Sequence, residues 1–128
     1  MELEGLDHVG LAVRDVERSI RWYQEVLGLE RAFEEAWGDY PAVLAAGGTG
    51  VALFSTRGAP VEPSTMHSLT HVGFRASRRG YEGARAELAA QGVEFRESDH
   101  TVAWSMYVQD PDGHLIEITT YEPPAARE

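Results

Sequence analysis

The 128-residue sequence has no cysteine and no lysine, and none of its apolar runs approaches the ~18 residues of a membrane span. Without cysteine, a disulfide framework, a thiolate metal site and a cysteine nucleophile are excluded, so any metal site must use His, Asp or Glu. Basic residues are scarce, because 11 arginines stand against 21 acidic residues and the formal net charge is −10. This balance argues against nucleic acid as a partner but leaves room for a local basic pocket.

The segment Met1–Gly5 is acidic and lacks the basic-then-apolar layout of a signal peptide. We therefore expect a soluble, cytoplasmic protein with no membrane partner. A length of 128 residues is sufficient for a single domain, 1–128, with an ordinary hydrophobic core.

An internal repeat is the most informative feature of the sequence. His8-Val9-Gly10 returns 63 residues later as His71-Val72-Gly73, and Gly28-Leu29-Glu30 returns 64 residues later as Gly92-Val93-Glu94. Two copies are too few for a solenoid and favour a duplicated module that closes on its twin. The expected divisions are module one at 6–56, a linker at 57–67, module two at 68–121 and a tail at 122–128.

Each module is predicted to contain a strand, a helix and three further strands. Asp15 is a suitable N-cap for the first helix and Gly28 a suitable residue just beyond it, and the second helix is predicted at about 80 to 91. Alternation and turn residues predict strands at 6–13, 29–36, 40–46 and 51–56, then at 69–76, 93–97, 102–109 and 115–120.

Strand alternation places His8 on one face of its strand and Val9 and Leu11 on the other. The apolar face of Val9 and Leu11 is the one that a helix would cover. His71 occupies the same position in the second module, beside Gly73. Two histidines at equivalent positions of a duplicated module are expected to meet near its pseudo-twofold axis. The alternative is that each is a hydrogen-bonded core histidine.

Glu117 places a carboxylate in the otherwise apolar strand Leu115–Ile118. A buried carboxylate is usually neutralised, paired or bound to a metal, and pairing with Arg75 is the alternative here. Together with His8 and His71, Glu117 makes a facial triad, which suits Fe(II) or Mn(II) and also admits Ni(II) or Zn(II). Three protein ligands leave positions open for substrate, as a catalytic metal site requires.

Four motifs, in this order and spacing, resemble the vicinal oxygen chelate superfamily, which includes glyoxalase I, fosfomycin-resistance thiol transferases, bleomycin-resistance proteins, methylmalonyl-CoA epimerases and extradiol dioxygenases. The resemblance runs from Leu6 to Tyr121. The motifs are Asp7–Val13, Trp22–Leu29, Thr70–Phe74 and Tyr107–Glu117. The resemblance implies an α+β fold in which two paired βαβββ modules form an eight-stranded, cup-shaped mixed sheet with helices on the outer face and the metal inside.

The resemblance also bears on the branch of the superfamily. Glyoxalase I and the epimerases carry a fourth, carboxylate ligand on the last strand of module one, where this chain has Ala52 or Leu53, depending on register. The remaining set of His, His and Glu is similar to those of the extradiol dioxygenases and the thiol transferases. Both branches have a tyrosine beside the metal, and here it is Tyr107. His100, just before the same strand, is a candidate acid or base near neutral pH, and the alternative is a solvent-exposed loop histidine.

Dioxygenase-like chemistry on a small organic substrate chelated through vicinal oxygens is the leading expectation for function. Against it, the dioxygenases have an acid-base histidine where this chain has Thr56 or Arg57. The first alternative is a lyase, isomerase or thiol transferase on the same metal, although a thiol transferase of this family surrounds a phosphonate with Lys and Arg. The second is a metal-independent, bleomycin-resistance-like binding protein. Pairing of modules within one chain or between the chains of a homodimer is left open.

Overall fold

The computed structural model describes residues 1–61 and 69–125. Its contacts divide the chain into two compact units, Met1–Glu62 and Pro63–Glu128, and each is described by itself. Residues 62–67 of the predicted linker and 126–128 of the predicted tail lie outside the described residues. No helix in the described ranges has the length and apolar character needed to cross a membrane.

Unit 1 has one mixed sheet in the order β1-β4-β3-β2, in which only β1 and β4 run parallel. The helix α1 packs on β3 and β4, and it begins where the Asp15 carboxylate accepts a hydrogen bond of 3.0 Å from the backbone N–H of Arg18. Gly28 follows the helix at a φ of 68°, as predicted. The elements are β1 (His8–Val13), α1 (Val16–Glu25), β2 (Glu30–Ala32), α2 (Glu34–Trp37), β3 (Ala42–Ala46) and β4 (Thr49–Ser55).

Unit 2 repeats this topology in the order β5-β8-β7-β6, again with one parallel pair, β5 and β8. The helix α3 packs on β8 and begins where the Ser77 hydroxyl accepts a hydrogen bond of 3.0 Å from the N–H of Gly80. The elements are β5 (Val72–Arg75), α3 (Arg78–Ala90), β6 (Arg96–Asp99), β7 (Trp104–Gln109) and β8 (Leu115–Thr120).

The predicted α+β class and the βαβββ order are confirmed in both units, as two four-stranded mixed sheets with helices. The predicted alternation also holds, because Leu11 and Val13 are buried on the helix side of β1 whereas Gly10 and Ala12 are exposed on the other face. The closing of the two sheets into one eight-stranded cup stays a prediction.

Three predicted strands were wrong in extent, and one of them, predicted at 69–76, is only Val72–Arg75, so that His71 lies just before it. The strand predicted at 29–36 ends at Ala32, because Phe33 adopts a left-handed φ of 59° and Glu34–Trp37, rich in good helix formers, makes the short helix α2. The strand predicted at 93–97 is shifted to Arg96–Asp99, where its backbone pairs with Trp104 to Tyr107 of β7.

The turn between β7 and β8 sets the register on which the site depends. The buried Asp110 carboxylate accepts hydrogen bonds from the backbone N–H groups of Asp112, at 2.9 Å, and His114, at 2.8 Å. The N–H of Gly113 donates to the carbonyl of Asp110 at 3.0 Å, and Gly113 has a φ of 87°. This tight turn aligns the two strands so that Tyr107 lies directly opposite Glu117.

Candidate functional site

Four residues lie side by side across the sheet of unit 2, on the face opposite α3. The strand pairings place Gly73 beside Glu117, Glu117 beside Tyr107 and Tyr107 beside Arg96. Because laterally paired residues point to the same face of a sheet, their side chains form one continuous row. We call this set, Gly73, Glu117, Tyr107 and Arg96, the unit 2 row.

Two of the three predicted metal ligands lie together at this row. His71 Nε2 is 3.3 Å from Glu117 Oε1, and the Glu117 side chain is only 14% exposed. A Cβ built on Gly73 would lie 3.1 Å from the same carboxylate oxygen, so the glycine leaves the space that the carboxylate fills. Two donors that each lie about 2.1 Å from one ion are separated by about 3 Å at near-right angles. The donor chemistry and spacing of His71 and Glu117 therefore fit a divalent metal.

Tyr107 and His100 extend this cluster. The Tyr107 hydroxyl donates to Glu117 Oε2 at 3.2 Å, and His100 Nε2 is 2.9 Å from the same hydroxyl. Burial, followed by the Glu117 carboxylate, raises the pKa of Tyr107 above its ordinary value. The phenol is therefore a hydrogen-bond donor at neutral pH. The structure thus brings together His71, Glu117, Tyr107 and His100.

His8, the third predicted ligand, lies at the start of β1 in unit 1. Its Nδ1 is 2.7 Å from the carboxylate of the preceding residue, Asp7, just as His71 Nδ1 is 2.9 Å from the hydroxyl of the preceding Thr70. A metal-binding histidine commonly uses one ring nitrogen in this way, which orients the other for the ion.

Within either unit taken alone, the described residues include no group of three His, Asp or Glu side chains that could hold a metal ion. The convergence of His8 with His71 and Glu117 therefore stays a prediction.

The equivalent row of unit 1 is apolar. Its pairings place Gly10 beside Ala52, Ala52 beside Val43 and Val43 beside Ala32. We call this set, Gly10, Ala52, Val43 and Ala32, the unit 1 row. Since Gly10 and Gly73 are repeat-equivalent, Ala52 rather than Leu53 is the counterpart of Glu117, and alanine cannot bind a metal.

One residue of the cluster, Arg96, was not predicted from the sequence. Its guanidinium carbon lies 4.3 Å from the centroid of the Tyr107 ring, a cation–π distance. The signal that was available is the alternation within the strand predicted at 93–97, which sets Arg96 on the face opposite Val93 and Phe95. Arg75, considered as a partner of Glu117, lies 4.9 Å from the ring centroid of Tyr121.

Met106 and four large aromatic residues of the described ranges differ in their surroundings. Met106 is buried, and Trp104 stacks with Arg78 of α3, so both lie on the helix side. Trp37, Tyr40 and Phe54 are exposed, and the Phe54 ring lies over Gly10, 3.3 Å from where a Cβ would be.

Comparison with known proteins agrees with this architecture. Residues 5–118 match the model of the Glyoxalase/Bleomycin resistance protein/Dioxygenase superfamily. Glutathione transferase FosA of Serratia marcescens is 29% identical over 116 residues, which cover 91% of this chain and 80% of that protein. Metallothiol transferase FosB of Staphylococcus epidermidis is 29% identical over 121 residues, which cover 92% of this chain and 84% of that protein.

Among solved structures, a glyoxalase/dioxygenase from Nostoc punctiforme superposes with a TM-score of 0.79 at 21% identity, covering 94% of this chain and 92% of that one. This likeness supports the fold, and the match over residues 5–118 supports the family. The chain therefore belongs to the glyoxalase/bleomycin resistance protein/dioxygenase superfamily, as its resemblance to the vicinal oxygen chelate proteins implies.

Proposed function

We propose that this protein is a divalent-metal-dependent transferase that joins a thiol to a small oxygen-containing electrophile such as an epoxide. The observation that carries the proposal is the His71–Glu117 pair, 3.3 Å apart and bordered by the Tyr107 hydroxyl. Two relatives that share 29% identity are named a glutathione transferase and a metallothiol transferase. They favour the thiol-transferase alternative over the dioxygenase-like expectation.

In this proposal His8, His71 and Glu117 hold the metal, and Ala52 supplies no fourth ligand. Held by these residues, an ion, Mn(II) or Fe(II) by preference and Ni(II) or Zn(II) otherwise, would supply Lewis-acid activation of a substrate oxygen. Asp7 and Thr70 hold the Nδ1 atoms of the two histidines, so each Nε2 is available to the ion.

Tyr107 has two tasks in this arrangement. Its hydroxyl occupies Glu117 Oε2, which leaves Oε1 for the ion beside His71 Nε2. It also stands next to the substrate oxygen, as a group that donates a hydrogen bond to developing negative charge. His100 Nε2, at 2.9 Å, holds the phenol in place and can return a proton to it.

The reaction balances with these groups alone. The thiolate sulfur forms a bond to one epoxide carbon, the bond from that carbon to oxygen breaks, and its electron pair goes to the oxygen. The oxygen then takes one proton, for which the Tyr107–His100 pair provides a route, and the thiol's own proton restores the balance. No oxidant or reductant is required, in contrast to a dioxygenase.

The test is conjugate formation from fosfomycin and a thiol. Purified protein with one equivalent of Mn(II) is incubated with fosfomycin and either glutathione or cysteine, and the product is detected by mass. We expect the adduct mass, its loss on chelation, and a fall in rate of at least ~100-fold for His71→Ala and Glu117→Gln. Glu87→Gln, on the exposed side of α3, is the matched control and should keep the wild-type rate.

The alternatives give different outcomes in the same preparation. Oxygen uptake with catechols, and no adduct with either thiol under Mn(II), Fe(II), Ni(II) or Zn(II), would replace the proposal with the dioxygenase reading. Ligand binding that survives chelation and His8→Ala, with no turnover, would indicate a binding protein. Elemental analysis of the protein as purified establishes whether a transition metal is held at all.

A further inference from the structure

Arg75 lies between an acidic and an aromatic neighbour on the face of the unit 2 sheet opposite α3. Its strand pairing places it beside Thr119 of β8. Because alternate residues of a strand point to the same face, Glu117, Thr119 and Tyr121 follow one another along that face. Glu117 therefore stands on one side of Arg75, and Tyr121, the first residue after β8, stands on the other. Long side chains reach such diagonal neighbours in a sheet, so Arg75 has two available partners.

The arginine is directed toward the aromatic neighbour. Its guanidinium carbon lies 4.9 Å from the centroid of the Tyr121 ring, and within residues 69–125 it forms no ion pair with a carboxylate. A guanidinium and a carboxylate attract each other by charge and by paired hydrogen bonds. The Glu117 carboxylate also lies over Gly73, on the same strand as Arg75. An ion pair between Arg75 and Glu117 would therefore take up the carboxylate oxygens that now lie beside His71.

The residue that follows Tyr121 holds it in place. The Glu122 carboxylate accepts a hydrogen bond of 2.8 Å from the backbone N–H of Arg78, the first residue of α3, and the Glu122 carbonyl accepts one of 3.0 Å from Arg78 Nε. The unpaired N–H groups and the dipole at the start of a helix stabilise a carboxylate there. The Arg78 guanidinium is fixed in turn by stacking on the rings of Tyr81 and Trp104, at 5.0 Å from each centroid. We call Tyr121 and Glu122 the C-terminal clasp.

Unit 1 provides an internal comparison. Ala12 stands at the repeat-equivalent position of Arg75, and Ala52 stands at that of Glu117. The cation is therefore present only in the unit whose row contains a carboxylate. A cation that pairs with a ligand carboxylate opposes the binding of a divalent metal to the same oxygens. The clasp contact thus bears directly on the proposed metal ligands.

We propose that Tyr121 is a positioning residue for the metal site: its ring holds Arg75 away from Glu117 and so keeps that carboxylate available to a divalent metal. With the C-terminal clasp in place, Arg75 stacks on Tyr121 and Glu117 faces His71. When the clasp is released, Arg75 turns to Glu117, pairs with it and competes with the metal. The position of the C-terminal segment therefore sets the metal affinity of unit 2, as any equilibrium between two side-chain partners would.

This inference rests on the metal site of the proposed function but is tested by metal binding, without turnover. Dissociation constants for Mn(II) and Zn(II) are measured by competition with a fluorescent chelator, at low ionic strength and in the absence of thiol and epoxide. Low ionic strength is used because salt screens the competing ion pair. Circular dichroism checks that each variant is folded.

The variants separate the ring of Tyr121 from its bulk. Tyr121→Leu keeps an apolar side chain but removes the aromatic face, and it should weaken metal binding about threefold to fivefold, the range of an exposed cation–π contact. Tyr121→Phe keeps the ring and should bind metal as the wild type does. In the Arg75→Gln background, Tyr121→Leu should change the affinity by less than about 1.5-fold, because the competing cation is gone. The exposed Arg79→Gln is the matched control for Arg75→Gln and should leave the effect of Tyr121→Leu intact.

Glu122→Gln is a second route to the same result, because it weakens the clasp without changing the ring, and it carries the test if Tyr121→Leu does not fold. It too should weaken metal binding only when Arg75 is present. An equal loss in both backgrounds, an unchanged affinity in folded Tyr121→Leu, or the same loss in Tyr121→Phe would each overturn the proposal.

Failure of the proposed function is a separate result. Adduct formation without coupling between Tyr121 and Arg75 removes only the role of the clasp. Coupling in metal binding without any adduct removes only the transferase reaction. A wild type that binds neither Mn(II) nor Zn(II) would overturn both.

Discussion

The two sheets share a topology and a register but differ in the chemistry of one row. In unit 1 the row is Gly10, Ala52, Val43 and Ala32, and in unit 2 it is Gly73, Glu117, Tyr107 and Arg96. Only the glycine is the same in both. It leaves space above its strand, and this space is taken by the Phe54 ring in unit 1 and by the Glu117 carboxylate in unit 2.

This contrast shows that the apolar core and the polar cluster of the proposed site lie on opposite faces of the unit 2 sheet. The face that packs on the helix keeps its apolar pattern in both copies, with Leu11 and Val13 in one and Ile116 and Met106 in the other. Because alternate residues point to opposite faces, one face can be changed from alanine to glutamate without disturbing the packing of the other. A duplicated module can therefore keep its architecture while only one copy acquires a polar cluster.

The largest expected effect comes from placing the unit 2 carboxylate in the unit 1 row. Ala52 is only 2% exposed, so the metal-free Ala52→Glu variant buries a carboxylate beside Val43 and Gly10. We expect it to lower the free energy of unfolding by about 2–4 kcal/mol at pH 7. The deficit should shrink toward pH 4, because burial raises the pKa of the new carboxyl and protonation removes the buried charge.

Urea denaturation measures this loss. Ala12→Glu is the matched control, since Ala12 lies on the same face of the neighbouring strand but is exposed, and this variant should change stability by less than about 0.5 kcal/mol. Equal stability of the Ala52→Glu variant and the wild type would show that the unit 1 row tolerates the chemistry of unit 2, and the contrast would lose its energetic basis.

A smaller effect is expected from filling the space above the shared glycine. In Gly73→Ala the new Cβ would lie 3.1 Å from Glu117 Oε1, so the carboxylate must shift away from His71. We expect metal affinity to fall about tenfold, the size typical of disturbing a ligand's support. Competition with a fluorescent chelator measures this change.

Gly10→Ala is the counterpart in unit 1. There the new Cβ would lie 3.3 Å from the Phe54 ring and within 4 Å of no proposed ligand, so metal affinity should change by less than about twofold. If both alanine variants bind metal equally well, the space above Gly73 is not what keeps the Glu117 carboxylate in its metal-binding position.

The smallest effect is expected on the helix side of unit 2. The Glu97 carboxylate accepts a hydrogen bond of 2.8 Å from the Tyr81 hydroxyl and pairs with Arg85 at 2.8 Å. The Arg85 hydrogen bond, opposed by burial, lowers the pKa of Glu97 below its ordinary value. We expect Glu97→Gln to cost about 1 kcal/mol at pH 7, a modest value because the pair is partly exposed.

The pH dependence follows from the direction of each shift. A carboxyl group whose pKa is lowered in the folded state stabilises the fold at any pH above its unfolded-state pKa, which is about 4.3 for Glu. This stabilisation disappears as the pH falls through the folded-state pKa. The wild type and Glu97→Gln should therefore converge in acid, with Glu94→Gln as the control. Burial raises the pKa of Tyr81 from 10.0 to about 12, so wild-type stability should fall as pH rises across that interval. A cost that persists at pH 3 would contradict the ionic explanation.

Much of the fold could be predicted because it depends on local signals. Asp15 and Gly28 mark the two ends of a helix through hydrogen-bonding and backbone preferences that hold in any chain. The alternation of residues around His8 and His71 assigns each histidine to one face of its sheet. The strand predicted at 29–36 was wrong because its second half contains good helix formers, and the backbone at Phe33 resolves that conflict in favour of α2. Tyr107 was predicted beside the metal and His100 was only a candidate, because their hydrogen bond depends on a loop whose path has no sequence signature.

The sequence by itself determined the duplicated module, the equivalence of His8 and His71, and the choice of His and Glu as the available metal-binding chemistry. Only the tertiary structure decided which residues stand beside one another across the sheets: Ala52 and not Leu53 as the counterpart of Glu117, and Arg96 against the ring of Tyr107. The physical reason is that faces follow from alternation along one strand, whereas lateral neighbours depend on register, which turns and long-range packing set.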